Sequence, residues 1–127
     1  MTAPTVYPCL TYRDAPAAID WLCDAFGFSR NFVADGPGGK VAHAELGWSE
    51  GGVIMLGSAV EDNADIATGR SLIYLAVSDP DEHFARATAA GAEVVRPPKD
   101  EDYGSRGYTL RDPEGHIWSF GTYRPGG

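Results

Sequence analysis

The sequence predicts an α+β fold in which one β-α-β-β-β unit is used twice. Three observations carry this. Asp14 opens a helical stretch closed by Gly27, and Asp79 opens a similar one closed by Gly91. The segment Glu50-Gly51-Gly52-Val53-Ile54-Met55-Leu56-Gly57-Ser58 recurs 64 residues on as Glu114-Gly115-His116-Ile117-Trp118-Ser119-Phe120-Gly121-Thr122. Leu46 and Leu110 match at that same offset, whereas earlier positions align at 65: Leu10 with Leu75, Asp14 with Asp79, Ile19 with Phe84, Leu22 with Ala87. One residue is therefore missing from the second helix. A unit of this length used only twice is a duplicated motif rather than a solenoid repeat. Each half alone buries too little surface to be stable, so the pair is expected to share a core or a cleft.

The elements follow from local chemistry. Residues 6–12 are aromatic and β-branched enough for a strand, and Pro8 suits its edge or start. Asp14 is a good N-cap with Pro16 tolerated in the first turn. Ile19, Leu22, Cys23 and Phe26 mark one helical face, and Gly27 is a natural residue just past the end. Residues 28–34 form a short strand before the Asp35-Gly36-Pro37-Gly38-Gly39 loop. Residues 41–48 and 53–58 make a hairpin around Ser49-Glu50-Gly51-Gly52.

Residues 59–70 are polar and acidic and read as a linker between repeat 1 (about 5–58) and repeat 2 (about 71–124) of a single domain spanning 1–127. Residues 72–78 form the next strand. Asp79-Pro80-Asp81-Glu82 caps and starts a helix whose acidic first turn suits its dipole, with Phe84, Ala87 and Ala90 apolar. Residues 93–96 are a strand that Pro97-Pro98 should stop, and 99–104 a charged loop. Residues 107–111 and 117–123 form the last hairpin across Asp112-Pro113-Glu114-Gly115, and 125–127 a frayed tail.

Composition narrows the function. At 127 residues and 43% hydrophobic content the chain is one ordinary globular domain. A formal charge of −8 disfavours nucleic acid and anionic membranes as partners. No apolar run approaches the ~18 residues needed to span a bilayer. The N-terminus lacks a charged region followed by an apolar stretch, so a cytoplasmic location is expected. Cys9 and Cys23, without CxxC spacing, read as free thiols of a reducing compartment.

The order of elements, together with Leu10-Thr11-Tyr12-Arg13-Asp14 leading into Ala18-Ile19-Asp20-Trp21-Leu22 and Phe26-Gly27-Phe28, resembles the vicinal oxygen chelate superfamily. This group includes glyoxalase I, extradiol dioxygenases, fosfomycin-resistance transferases and bleomycin-resistance proteins. The pattern recurs at Leu75-Ala76-Val77-Ser78-Asp79, and the Asp112-Pro113-Glu114-Gly115-His116 turn is its most recognisable piece. The resemblance implies that the two βαβββ units curl into an incomplete barrel around a cleft. Metal-dependent members place His, Glu or Gln on the first and fourth strands of each unit. Carried over by position, those sites are Tyr7, Met55, Leu72 and Ser119, with Ser71 the alternative to Leu72. None suits Mg, Mn, Zn or Fe(II), so neither metal nor cofactor is expected.

The same positions read as a ligand pocket. Strand alternation puts Tyr7, Cys9 and Thr11 on one face, with Leu72, Tyr74 and Ala76 matching them in the second half. Met55, Ile117, Ser119 and Tyr123 share that face, while Ile54, Leu56, Trp118 and Phe120 pack under the helices. Rings, a deformable Met and hydroxyls suit a flat, mostly apolar molecule. His43 and Glu45, two apart on a strand, point the same way as a base–orienter pair, half of a relocated metal site, or a hydrogen-bonded pair at the rim. Tyr103 and Arg106 precede the final hairpin; Arg106 either gates the cleft or forms a salt bridge within the fold. His116 is a turn residue, and His83, in an acidic first turn, is expected to be solvated. The reading is a metal-independent binder of a small aromatic or amphipathic molecule, akin to bacterial antibiotic-binding proteins and working as a homodimer, with no catalytic residues. The rival is a glyoxalase- or dioxygenase-like lyase or isomerase using His43 and Glu45.

Overall fold

The structure, a computed structural model, describes residues 6–59, 72–102 and 104–124. Most of the expected linker, Ser71, Tyr103 and the expected tail lie outside the described residues. The chain divides into two compact units, Met1–Arg70 and Ser71–Gly127. Each is a βαβββ module with a four-stranded mixed sheet, and neither sheet closes into a barrel.

In the first unit β1 (Cys9–Tyr12) leads into α1 (Ala15–Trp21), followed by β2 (Ser29–Asp35), β3 (Val41–Gly47) and β4 (Val53–Ser58). The strand order is β1-β4-β3-β2, with β1 parallel to β4 and the other pairs antiparallel. Asp14 caps α1 by accepting from the Ala17 N–H at 3.1 Å. One face of the sheet is covered by the helix, and Leu10, Tyr12, Ala44, Leu46, Ile54 and Leu56 are buried there with Ile19, Leu22 and Phe26. The second unit repeats this with β5 (Leu72–Ala76), α2 (Pro80–Ala89), β6 (Glu93–Asp100), β7 (Arg106–Arg111) and β8 (Ile117–Gly121), in the order β5-β8-β7-β6. Asp79 caps α2 through the Glu82 N–H. Trp118, Phe120, Leu110 and Tyr108 are buried on its covered face.

Register makes the duplication literal. Cys9 sits opposite Met55 as Tyr74 sits opposite Ser119, and Leu46 opposite Ile54 as Leu110 opposite Trp118. Each unit even carries the same register shift in its edge strand, between Arg30 and Phe32 and between Val94 and Arg96. The unequal helix length is also accounted for. Leu22 and Ala87 correspond at an offset of 65 and are fully buried, while Gly27 and Gly91 correspond at 64 and hold positive φ of 91° and 99°. The extra residue falls between them, where α1 continues as a single π turn, Leu22–Phe26. An i→i+5 turn takes one residue more than an α turn, so the insertion is absorbed locally.

Two expectations are corrected. β6 does not stop at the prolines but runs through Pro97 and Pro98 to Asp100, so Lys99 and Asp100 belong to a strand rather than a loop. The reason is position. β6 is the outer strand of its sheet, and the prolines fall in a second register shift between Arg96 and Lys99, where no ladder N–H is required of them. His83 is half-buried rather than fully solvated. It lies three residues after Pro80 and four before Ala87, both buried, on the inner face of α2. Its ring packs on Phe120 with centroids 4.6 Å apart, and Nδ1 meets the Tyr108 hydroxyl at 2.5 Å.

The last turn is organised by Asp112, buried at 3% exposure. Its Oδ1 accepts from the Glu114 and His116 N–H groups, each at 3.0 Å, and its Oδ2 from the Trp118 indole N–H at 3.0 Å. His116 is thus held by its backbone in the turn. Among the described residues no helix is long and apolar enough to cross a membrane.

Candidate functional site

The face of each sheet turned away from its helix carries most of the expected site residues. In the first unit one row of register partners crosses all four strands: Cys9, Met55, Glu45 and Phe32. The equivalent row in the second unit is Tyr74, Ser119, Thr109 and Arg96. Neighbours in a row project to the same side. Cys9, Phe32 and Tyr74 are exposed and Met55, Glu45 and Ser119 half-buried, whereas the alternating Leu10, Leu56, Leu75 and Phe120 are buried.

His43, two residues before Glu45 on β3, shares this face. Its Nε2 lies 2.9 Å from Glu45 Oε2, with both side chains 41% exposed. Phe32 flanks the imidazole with ring centroids 6.1 Å apart. A carboxylate placed here can fix one ring nitrogen of the imidazole and leave the other for hydrogen bonding or proton exchange. In the second unit Tyr74 donates from its hydroxyl to the Tyr123 carbonyl at 2.7 Å, and Thr109 Oγ1 lies 3.1 Å from Ser119 Oγ.

Several expected site residues thus fall on one sheet face per unit. Cys9, Thr11, Met55, His43 and Glu45 belong to the first; Leu72, Tyr74, Ile117 and Ser119 belong to the second, with Leu72 directly opposite Ile117. Tyr7, exposed, precedes β1. Arg106 is committed to ion pairs, Nη2 with Asp81 at 3.0 Å and Nη1 with Asp100 at 3.1 Å. These hydrogen bonds, Asp81's foremost, push its already high pKa up further. Tyr103 lies outside the described residues. Phe32, Thr109 and Arg96 join the rows without having been expected. The register shift at Asn31 moves Phe32 out of simple alternation, and that shift leaves no sequence signature beyond the matching one at Val95.

Beneath the second sheet, on the helix side, Tyr108 is 1% exposed between Phe84 and Phe120, and its hydroxyl meets His83. Burial pushes the Tyr108 hydroxyl well above the ordinary tyrosine range, with the charges of Asp81 and Asp79 adding to it. Cys23 is half-buried in the π turn that follows α1, and burial likewise raises its thiol.

The positions that would hold a metal do not fit one. Tyr7, Met55, Leu72 and Ser119 offer a phenol, a thioether, an alkyl chain and an alcohol, no set for a divalent ion bound by imidazole and carboxylate. Among the described residues no group of three or more His, Cys, Asp or Glu side chains is placed to hold one.

Comparison with known proteins agrees with this architecture. The chain belongs to the Glyoxalase/Bleomycin resistance protein/Dioxygenase superfamily, whose family model matches residues 5–120. It is 36% identical over 129 aligned positions to the uncharacterized protein Rv0887c of Mycobacterium tuberculosis, covering 93% of this chain and 74% of that one. It is 37% identical to TioX from Micromonospora sp. ML1, whose crystal structure superposes with a TM-score of 0.76 over 94% of this chain and 100% of TioX. The fosfomycin resistance protein FosX from Mesorhizobium loti shares the fold at 13% identity, with a TM-score of 0.69 over 98% of this chain and 95% of FosX.

Proposed function

We propose that the protein binds a small aromatic or amphipathic molecule against the uncovered faces of its sheets, without a metal, and sequesters it as a homodimer. The observation that carries the reading is the composition of those faces. Met55, Tyr74, Cys9 and Leu72 offer apolar and soft surface, while Thr11, Ser119 and the His43–Glu45 pair supply a few fixed polar groups. That mixture suits a largely apolar ligand oriented by a few hydrogen bonds. Membership of a family that includes bleomycin resistance proteins supports it, and the charge of −8 favours a neutral or cationic ligand.

The test is a thermal-shift screen of the purified protein against aromatic antibiotics and natural products, with metal analysis of the same sample. A ligand at a hundredfold excess over its Kd stabilises the folded state by about 2.7 kcal/mol. No shift with any such compound, or stoichiometric Fe, Mn, Ni or Zn, overturns the reading. A monomer in sedimentation at micromolar concentration removes the dimer.

The 2.9 Å contact of His43 with Glu45 favours a second reading, acid–base catalysis by that pair. For a binder, His43→Ala weakens affinity by about 0.5–1.5 kcal/mol, the range of an ordinary hydrogen bond. For an enzyme, the same change lowers the rate about 10²–10⁴-fold with affinity largely kept. A ligand altered by the wild type and unaltered by His43→Ala decides for the enzyme.

A further inference from the structure

In the second unit a tyrosine ring occupies a place that has no aromatic counterpart on the first strand of the first unit. Gly121 lies on the uncovered face of β8, and a Cβ built there would meet the Tyr74 hydroxyl at 3.0 Å and the Arg106 carbonyl oxygen at 3.1 Å. The missing side chain lets the Tyr74 ring lie along the sheet from its own position opposite Ser119 and reach the Tyr123 carbonyl. By the repeat, Gly121 corresponds to Gly57, Arg106 to Ala42, Tyr123 to Ala59 and Tyr74 to Cys9. The backbone floor is the same. A Cβ at Gly57 would lie 3.1 Å from the Ala42 carbonyl oxygen, and its three nearest neighbours are all backbone atoms of Val41 and Ala42 at the start of β3. Ala59 is fixed by its N–H donating to the Tyr12 carbonyl at 2.8 Å. Two things differ: where the second unit supplies the phenol of Tyr74, the first has the short side chain of Cys9, and where the second has Gly107 opposite Gly121, the first has His43, whose ring reaches to Glu45.

We propose that the Gly57 floor of the first unit is a subsite for a planar aryl ring bearing a hydrogen-bond donor on its edge, seated as Tyr74 is seated in the second unit. The ring would lie over Gly57, with Cys9 and Met55 at one end, Thr11 alongside, and the Ala59 carbonyl taking the donor. Met55 suits this place, since a thioether packs well against a ring edge. Glycine is required because any side chain would fill the space a ring needs. The ligand class is therefore narrowed from aromatic or amphipathic to phenol-like or aryl N–H compounds. This rests on the small-molecule reading above.

The test uses the whole chain with 2-naphthol, followed by its own fluorescence, and decahydro-2-naphthol as a non-planar competitor. The decisive variant is Cys9→Tyr, which gives the first unit the ring that the second already has. Saturable binding of 2-naphthol by the wild type, weakened at least about tenfold in Cys9→Tyr with the unfolding midpoint maintained, is the expected result. A second measurement is independent of any variant: saturating 2-naphthol slows labelling of the exposed Cys9 by a thiol reagent, read by peptide mass. Equal binding by Cys9→Tyr, unslowed labelling of Cys9, or equal affinity for the decahydro compound overturns the subsite and leaves the small-molecule reading standing. No binding of 2-naphthol, together with no response in the wider ligand screen, overturns both.

Discussion

Single residues divide here into those that hold the frame and those that face outward. Asp112 is the clearest of the first kind, since one buried carboxylate serves two turn N–H groups and the indole of the fully buried Trp118. Asp112→Ala leaves those donors without acceptors and is expected to cost on the order of 3 kcal/mol. Asp112→Asn, which keeps an acceptor oxygen, should cost less; urea midpoints of the two variants check this ordering. Tyr108 gives a pH signature. Its folded pKa is raised, mainly by burial, so the unfolded chain loses that proton first. The stability it contributes is complete below the ordinary tyrosine pKa of about 10 and is lost as pH rises beyond it. Thermal midpoints taken between pH 8 and 10.5 should fall more steeply for the wild type than for Tyr108→Phe. Sequence alone identified Asp112 as part of a turn, because Asp-Pro-Glu-Gly is turn chemistry. It missed the inward position of His83, because an acidic first turn hides which side of the helix meets the sheet.

Elements were legible wherever periodicity and punctuation agree. Both helices begin at an Asp cap and end before a glycine with positive φ, and both hairpins fall at their turn residues. The exceptions are edge features, β6 with its two prolines and the bulged β2, since an outer strand tolerates what a central one forbids. Two of the eight residues in the rows shared that difficulty. Residues of the unbulged central strands, Met55, Glu45 and Ser119, could be placed by parity, but Phe32 and Arg96, both beyond bulges, could not. The π turn offers a test at this scale. Deleting the exposed Asp24 should turn it into an α turn, with cooperative unfolding kept and stability changed by no more than about 1 kcal/mol. Deleting Ala85 from α2, which has no wide turn to absorb the loss, rotates the fully buried Ala87 off the sheet and should cost about 2–3 kcal/mol. Denaturant titration of both variants makes the comparison.

For the whole molecule, the parallel pairs have a consequence for the order in which the units assemble. In each unit the first strand joins the sheet beside the last, Cys9 opposite Met55 and Leu72 opposite Ile117, while the hairpins on the other strands are closed by short turns. The entropy lost in closing a loop grows with its length, so the hairpins can form early and the first strand docks across the longest separation in its unit. Leu10 and Leu75, buried on those first strands, should therefore be late to gain their native contacts. Leu10→Ala and Leu75→Ala are expected to leave the refolding limb of a chevron nearly unchanged and to accelerate unfolding. Leu46→Ala and Leu110→Ala, in the hairpins, should slow refolding instead. The duplicated architecture then implies two nuclei in one chain, each a β-hairpin, and each unit is completed only when its amino-terminal strand returns to close the sheet.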